Sequence, residues 1–169
     1  MITPSLLTRG SKIGIVSPAK KIDARIIENA VQIIQQLGFE VKSGSYMLAG
    51  ENYLAGNDAQ RAADFQQMLD DPEIEMILCS RGGYGSARII DRLDFSTFKA
   101  KPKWIAGYSD ISVFHNHLFN LGFESLHCTM PLDFHENGLS SKPVQKLFDA
   151  ASGIPLNYQF EKSNQNRNG

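Results

Sequence analysis

The sequence predicts an α/β fold built on a mostly parallel sheet. Two observations carry this reading. Short apolar runs alternate along the chain with longer segments of helical periodicity, the pattern of β-α-β units. The segments that combine glycine with hydroxyl and charged side chains fall where strands end and helices begin, at the carboxyl ends of strands, where open parallel sheets place their ligands.

Taken in order, residues 12–17 are an apolar run closed by Pro18, the first strand. Ile22, Ile26, Ile27, Ala30, Val31, Ile33, Ile34 and Leu37 then recur at helical spacing, with Asp23 as N-cap and Gly38 as the stop. Residues 39–42 form a short second strand, and residues 46–56 a loop rich in glycine and aromatics. Asn57 or Asp58 caps a second helix that runs through Ala62, Phe65, Met68 and Leu69 to Asp71 and Pro72. The third strand, residues 74–80, meets a glycine-rich stretch directly. A helix through Ala87, Ile89, Ile90 and Leu93 is expected next, then one short helical turn over residues 95–100. The strand of Trp104, Ile105 and Ala106 ends at Gly107, and a helix runs from Ile111 to Leu121, stopped by Gly122. Residues 123–127 are expected as a fifth strand and residues 142–151 as a last helix, led by Ser140 or Ser141. Residues 154–160 read as extended and residues 161–169 as a polar linker. There are no internal repeats.

At 169 residues, 42% apolar and 21% charged, the chain suffices for one core-bearing domain. A net charge of −1 argues against nucleic acid or an anionic membrane as partner, since both reward a concentrated basic surface. Cys79 and Cys128 lie far apart in or beside apolar runs, which suggests buried reduced thiols and no metal site. The N-terminus lacks the basic start and apolar core of a signal peptide, and no apolar run approaches the ~20 residues that span a bilayer. The expectation is a cytoplasmic protein with no cofactor.

Two constellations carry chemistry. Gly107-Tyr108-Ser109-Asp110 sits where a strand turns straight into a helix, which exposes the serine at the apex and points the next backbone N–H groups at whatever it attacks. The second glycine of a full G-x-S-x-G elbow is absent; Ile111 stands there. The competing reading is that Ser109 or Asp110 simply caps the helix. Arg81-Gly82-Gly83-Tyr84-Gly85 reads either as an anion or oxyanion site or as a tight turn that needs positive φ. It matches neither the Walker nor the dinucleotide pattern. His115 and His117, two apart on one helix, cannot pair on a metal and read as packed or surface residues. His127 lies at a strand end, and His135, beside Glu136, lies in a loop. No carboxylate–histidine spacing nominates a base for Ser109.

Four segments in order, Lys12-Ile-Gly-Ile-Val-Ser-Pro-Ala19, Asp58-Ala-Gln-Arg-Ala-Ala-Asp-Phe65, Arg81-Gly-Gly-Tyr-Gly85 and Ile105-Ala-Gly-Tyr-Ser-Asp-Ile111, resemble the LD-carboxypeptidase family. Its members include muramoyltetrapeptide carboxypeptidases and microcin C self-immunity peptidases. The resemblance covers residues 10–155. It departs at Cys128, where many members carry glycine, and at Ser112, where threonine is common. It implies a Rossmann-like, three-layer N-terminal domain over residues 1–155 and a polar linker over residues 156–169, leading to a C-terminal domain that this chain lacks.

The activity implied is that of a serine peptidase cutting the amide bond between an L-residue and the terminal D-alanine of murein tetrapeptides, in cytoplasmic cell-wall recycling. Ser109 would be the nucleophile, with oxyanion N–H donors from Asp110 and Gly83, and with Arg81, Gly82, Tyr84 and Gly85 binding substrate. The Glu and His of the triad would come from the missing domain, so the chain alone is expected to be inactive, and the intact enzyme to be a homodimer. The rival expectation is a non-catalytic β-α-β module that binds a small anion or peptide at residues 81–85. A nucleotide-binding domain is a third.

Overall fold

In the computed structural model, which describes residues 1–134 and 138–158, five parallel strands line up in the order β2-β1-β3-β4-β5. They are β1 (Lys12–Val16), β2 (Glu40–Ser43), β3 (Ile74–Cys79), β4 (Trp104–Gly107) and β5 (Leu126–His127). This is the flavodoxin-type order of the doubly wound plan, with its switch point between β1 and β3. The helices are α1 (Ala24–Gln36), α2 (Asp58–Asp70), α3 (Ser96–Ala100), α4 (Ser112–Leu121) and α5 (Lys142–Ala151).

Side-chain alternation along the strands builds two cores. Ile13, Ile15, Met76, Leu78, Trp104 and Ala106 face α1 and α5, meeting Ile27, Ile34, Leu147 and Phe148. Val16, Ile77, Cys79 and Ile105 face the other way, toward α2, α3 and α4. There Phe65 stacks on Phe114 with ring centroids 4.3 Å apart. Ile74 shares the α2 side with Ile77, which strict alternation forbids. A register shift between Lys12 and Ile13, opposite Ile74 and Met76, resolves this by inserting Glu75 as an extra residue. Gly14 lies under α2, where a Cβ would come 2.7 Å from Met68 Sδ; only a bare backbone lets that helix so close. The result is a helix–sheet–helix sandwich.

The caps explain where helices start and stop. Asp23 accepts the Arg25 N–H, and Asn57 forms a reciprocal capping box with Gln60. Gly122 ends α4 in the left-handed conformation.

Two expectations are corrected. The helix expected through Ala87 and Leu93 is instead two 3-10 turns, Ser86–Arg88 and Ile90–Arg92, broken at Ile89 (φ −114°, ψ −18°). Of its apolar residues only Ile89 is fully buried, while Arg88 is drawn out to the Asp58 carboxylate. One anchor and an outward pull do not hold an α-helical stripe. The fifth strand is only Leu126–His127, because Phe123 pairs with Ile2 and Glu124 N–H donates to Ile2 O instead. Residues 159–169 and His135 with Glu136 lie outside the described residues. Among the described residues no helix is long and apolar enough to cross a membrane.

Candidate active site

The carboxyl ends of β1, β3 and β4 bring three loops together. At the end of β4, Gly107 has φ +153°, and a Cβ there would press on Ile111 at 3.0 Å and on Met130 Sδ at 3.2 Å. Tyr108 is extended, and Ser109 then takes φ +64°, a left-handed conformation that costs a non-glycine residue roughly 1–2 kcal/mol. The chain turns at once into a 3-10 turn (Ser109–Ile111) and then α4. Ser109 is exposed and its neighbours are not free to relax it. Ile111 is fully buried, the Tyr108 hydroxyl donates to Asp133 at 3.4 Å, and Asp110 is tied to the next loop. The capping reading fails here, since neither Ser109 nor Asp110 caps the helix with its side chain.

The glycine-rich loop after β3 lies against this bend. Gly82 is buried, and a Cβ on it would come 3.2 Å from Ser109 Cβ and 3.3 Å from both Asp110 N and Tyr108 O. Any side chain at position 82 would therefore cover the Asp110 amide beside the serine. Gly83 (φ +128°) faces the other way, against the aliphatic stem of Lys20. Tyr84 is exposed, and Gly85 (φ +141°) closes the loop over Ala19. Ser86 N–H donates to Asp110 Oδ2 at 2.9 Å, so the Asp110 side chain latches the glycine loop to the elbow. Arg81 Nη1 donates to Lys21 O at 3.2 Å.

Arg61 is the structural residue that sequence reading missed. Its fully buried guanidinium donates to Gly56 O (3.3 Å), Pro18 O (2.7 Å) and Gly85 O (3.1 Å), and pairs with Asp58. One side chain thus ties the loops after β1 and β3 to the start of α2. Burial pushes the guanidinium down from its usual range and Asp58 opposes that shift. The Asp58 carboxyl is itself held below its ordinary value, first by its hydrogen bonds to Arg88. A signal existed: Arg61 stands four before Phe65 and seven before Met68, a charge on the buried stripe of α2.

The histidines are accounted for differently. His115 Nε2 donates to Gly107 O at 2.9 Å while Nδ1 accepts from Ser125 Oγ at 2.8 Å. Burial pushes its pKa down, which keeps it neutral. His117 packs on Phe95, and the exposed His127 lies beside Tyr108 and His115. No histidine among the described residues is hydrogen-bonded to Ser109. Both cysteines are free; burial raises the Cys79 thiol and pushes the Cys128 thiol up to about 12. Among the described residues no cluster of His, Cys, Asp or Glu is placed to hold a metal.

Comparison with known proteins gives the family and the fold. The family model described as the LD-carboxypeptidase N-terminal domain matches residues 13–128. A Bacillus subtilis protein named "Probable murein peptide carboxypeptidase" is 36% identical over 128 residues, 75% of this chain and 40% of that one. Among solved structures, a muramoyltetrapeptide carboxypeptidase from Oxalobacter formigenes superposes with a TM-score of 0.74 at 25% identity, over 82% of this chain and 47% of that one. The microcin C7 self-immunity protein MccF gives a TM-score of 0.83 over 90% of this chain and 47% of its own; at 21% identity that likeness speaks for the fold. The chain spans about half the length, or less, of the curated relatives it matches.

Proposed function

The chain belongs to the LD-carboxypeptidase family through its N-terminal domain, and from that premise we propose that it carries the nucleophile of a serine LD-carboxypeptidase. The substrate is a murein tetrapeptide and the bond cut joins an L-residue to the terminal D-alanine. The observation that carries this is the strained, exposed Ser109 with the Asp110 amide left uncovered by Gly82.

In this reading Ser109 Oγ attacks the scissile carbonyl and its proton passes to a histidine. The Asp110 N–H and the Gly83 N–H, which belongs to the peptide unit next to Gly82, hold the developing oxyanion. The acyl-enzyme that forms is released by water, with D-alanine leaving first. His115 has both ring nitrogens engaged, by Gly107 O and Ser125 Oγ, so it does not serve as the base. The Glu and His that activate Ser109 come instead from a C-terminal domain beyond this chain. Residues 1–169 alone are then inactive, because an unactivated hydroxyl is a weak nucleophile. The same proposal sets the intact enzyme in the cytoplasm, in cell-wall recycling, as a homodimer.

The test is a fusion of this chain to the C-terminal domain of the Bacillus subtilis relative, assayed for D-alanine release from murein tetrapeptide. Release by the fusion, lost on Ser109→Ala and absent from residues 1–169 alone, is expected. Release that survives Ser109→Ala would overturn the assignment.

A further inference from the structure

Ser109 stands in a conformation that a serine backbone resists, so its surroundings must hold the bend in place. The bend also hinges on Gly107, the residue type with the widest backbone freedom. One arm is β4, which ends at Gly107, and the other is the 3-10 turn with α4. Asp110 and Tyr108 tie the bend outward, to Ser86 and to Asp133. His115 ties its two arms to each other. It closes the first turn of α4, and its ring reaches back toward the start of the helix, to Gly107 O at 2.9 Å. Among the described residues this is the one side-chain hydrogen bond between β4 and α4.

The sheet does not need this bond. Gly107 O already accepts the Cys128 N–H at 3.1 Å, so the ring fills the second lone pair of an oxygen that is satisfied without it. The ring is also held in one orientation. A carbonyl only accepts, so Nε2 carries the hydrogen, and a neutral ring must then accept at Nδ1. Ser125 Oγ, just before β5, supplies that donor at 2.8 Å. We propose that His115 is a positioning residue for the nucleophile: through Gly107 O it fixes the peptide plane on which the elbow turns, and so sets where Ser109 Oγ points. Ser125 acts behind it by fixing the tautomer and tilt of the ring. The consequence for turnover rests on the peptidase reading above; the hold on the bend does not.

Two substitutions separate the hydrogen bond from the bulk of the ring. His115→Gln keeps an N–H donor in the place of Nε2, and His115→Leu fills the space without one. In isotopically labelled residues 1–169, the Ser109 Cα and Cβ NMR shifts report its backbone conformation; His115→Leu is expected to move them and His115→Gln to leave them. In the fusion to the C-terminal domain of the Bacillus subtilis relative, variants are assayed at equal folded concentration, set by urea denaturation. There His115→Leu is expected to lower kcat about tenfold with KM unchanged, and His115→Gln to stay within about twofold of the parent. Ser125→Ala, which carries the test if His115→Leu does not fold, is expected to lower kcat about threefold in the parent and not at all beside His115→Gln. Unmoved Ser109 shifts or an unchanged kcat in His115→Leu, an equal loss in His115→Gln and His115→Leu, or an equal effect of Ser125→Ala in both backgrounds overturns the proposal. Moved Ser109 shifts together with a parent fusion that releases no D-alanine would sink the peptidase reading and leave His115 as the holder of the bend.

Discussion

Ser109 holds a backbone conformation that a serine keeps only when its surroundings over-determine it. Glycine at this position relieves roughly 1–2 kcal/mol of strain and loses roughly 0.5–1 kcal/mol to unfolded-chain entropy. Ser109→Gly is therefore expected to leave stability unchanged or up to about 1.5 kcal/mol higher, while Ser109→Val, β-branched at φ +64°, loses about 1–3 kcal/mol. Urea denaturation of the two variants checks this. A clear loss from Ser109→Gly contradicts the account of the elbow as strained. The serine was legible in the sequence because Gly107-x-Ser109 stands between a strand and a helix. The work of Gly82 was not, since its need to stay bare comes from Asp110, 28 positions away, and is a through-space fact. Arg61 is similar: its acceptors Pro18 and Gly85 lie 43 and 24 residues off.

Elements with their own punctuation were read correctly, as the cap of α2, which is Asn57 of the two residues offered, and the glycine stop of α4 show. The segment of residues 86–93 was misread because its apolar spacing suits a helix while its charges answer to Asp58 on α2. β5 was overextended because Phe123 and Glu124 pair with Ile2, at the opposite end of the sequence. His115 shows how such elements are joined: from α4 it holds the last carbonyl of β4 and Ser125 just before β5. Its pKa is lowered by burial, so between the lowered folded value and about 6.5 the unfolded chain binds more protons. Stability contributed by neutral His115 is thus full above about pH 6.5 and is lost as pH falls through that window, by at most ~1.4 kcal/mol per unit. Asp58 and Asp71, held low by Arg88 and Lys42, titrate below it. His115→Gln should flatten the slope of urea midpoints between about pH 7 and about pH 5. An unchanged slope would show that His115 is not the group responsible.

For the molecule as a whole, the parallel sheet gathers the ends of β1, β3 and β4 on one edge, and every part of the candidate site lies there. The order β2-β1-β3-β4-β5 puts the switch point between β1 and β3, where Arg61 binds both loops. That gathering was readable from alternating strands and helices. The assignment of roles within it was not, because backbone amides and buried carbonyls leave no mark in a sequence. The central claim is that this edge presents one nucleophile, and covalent trapping tests it most directly. The fusion with the C-terminal domain is treated with a fluorophosphonate that mimics the tetrahedral intermediate, digested, and mapped by mass spectrometry. A single adduct on Ser109, absent after Ser109→Ala, is the result this account predicts. An adduct on another serine, or none from a fusion that still releases D-alanine, would contradict it.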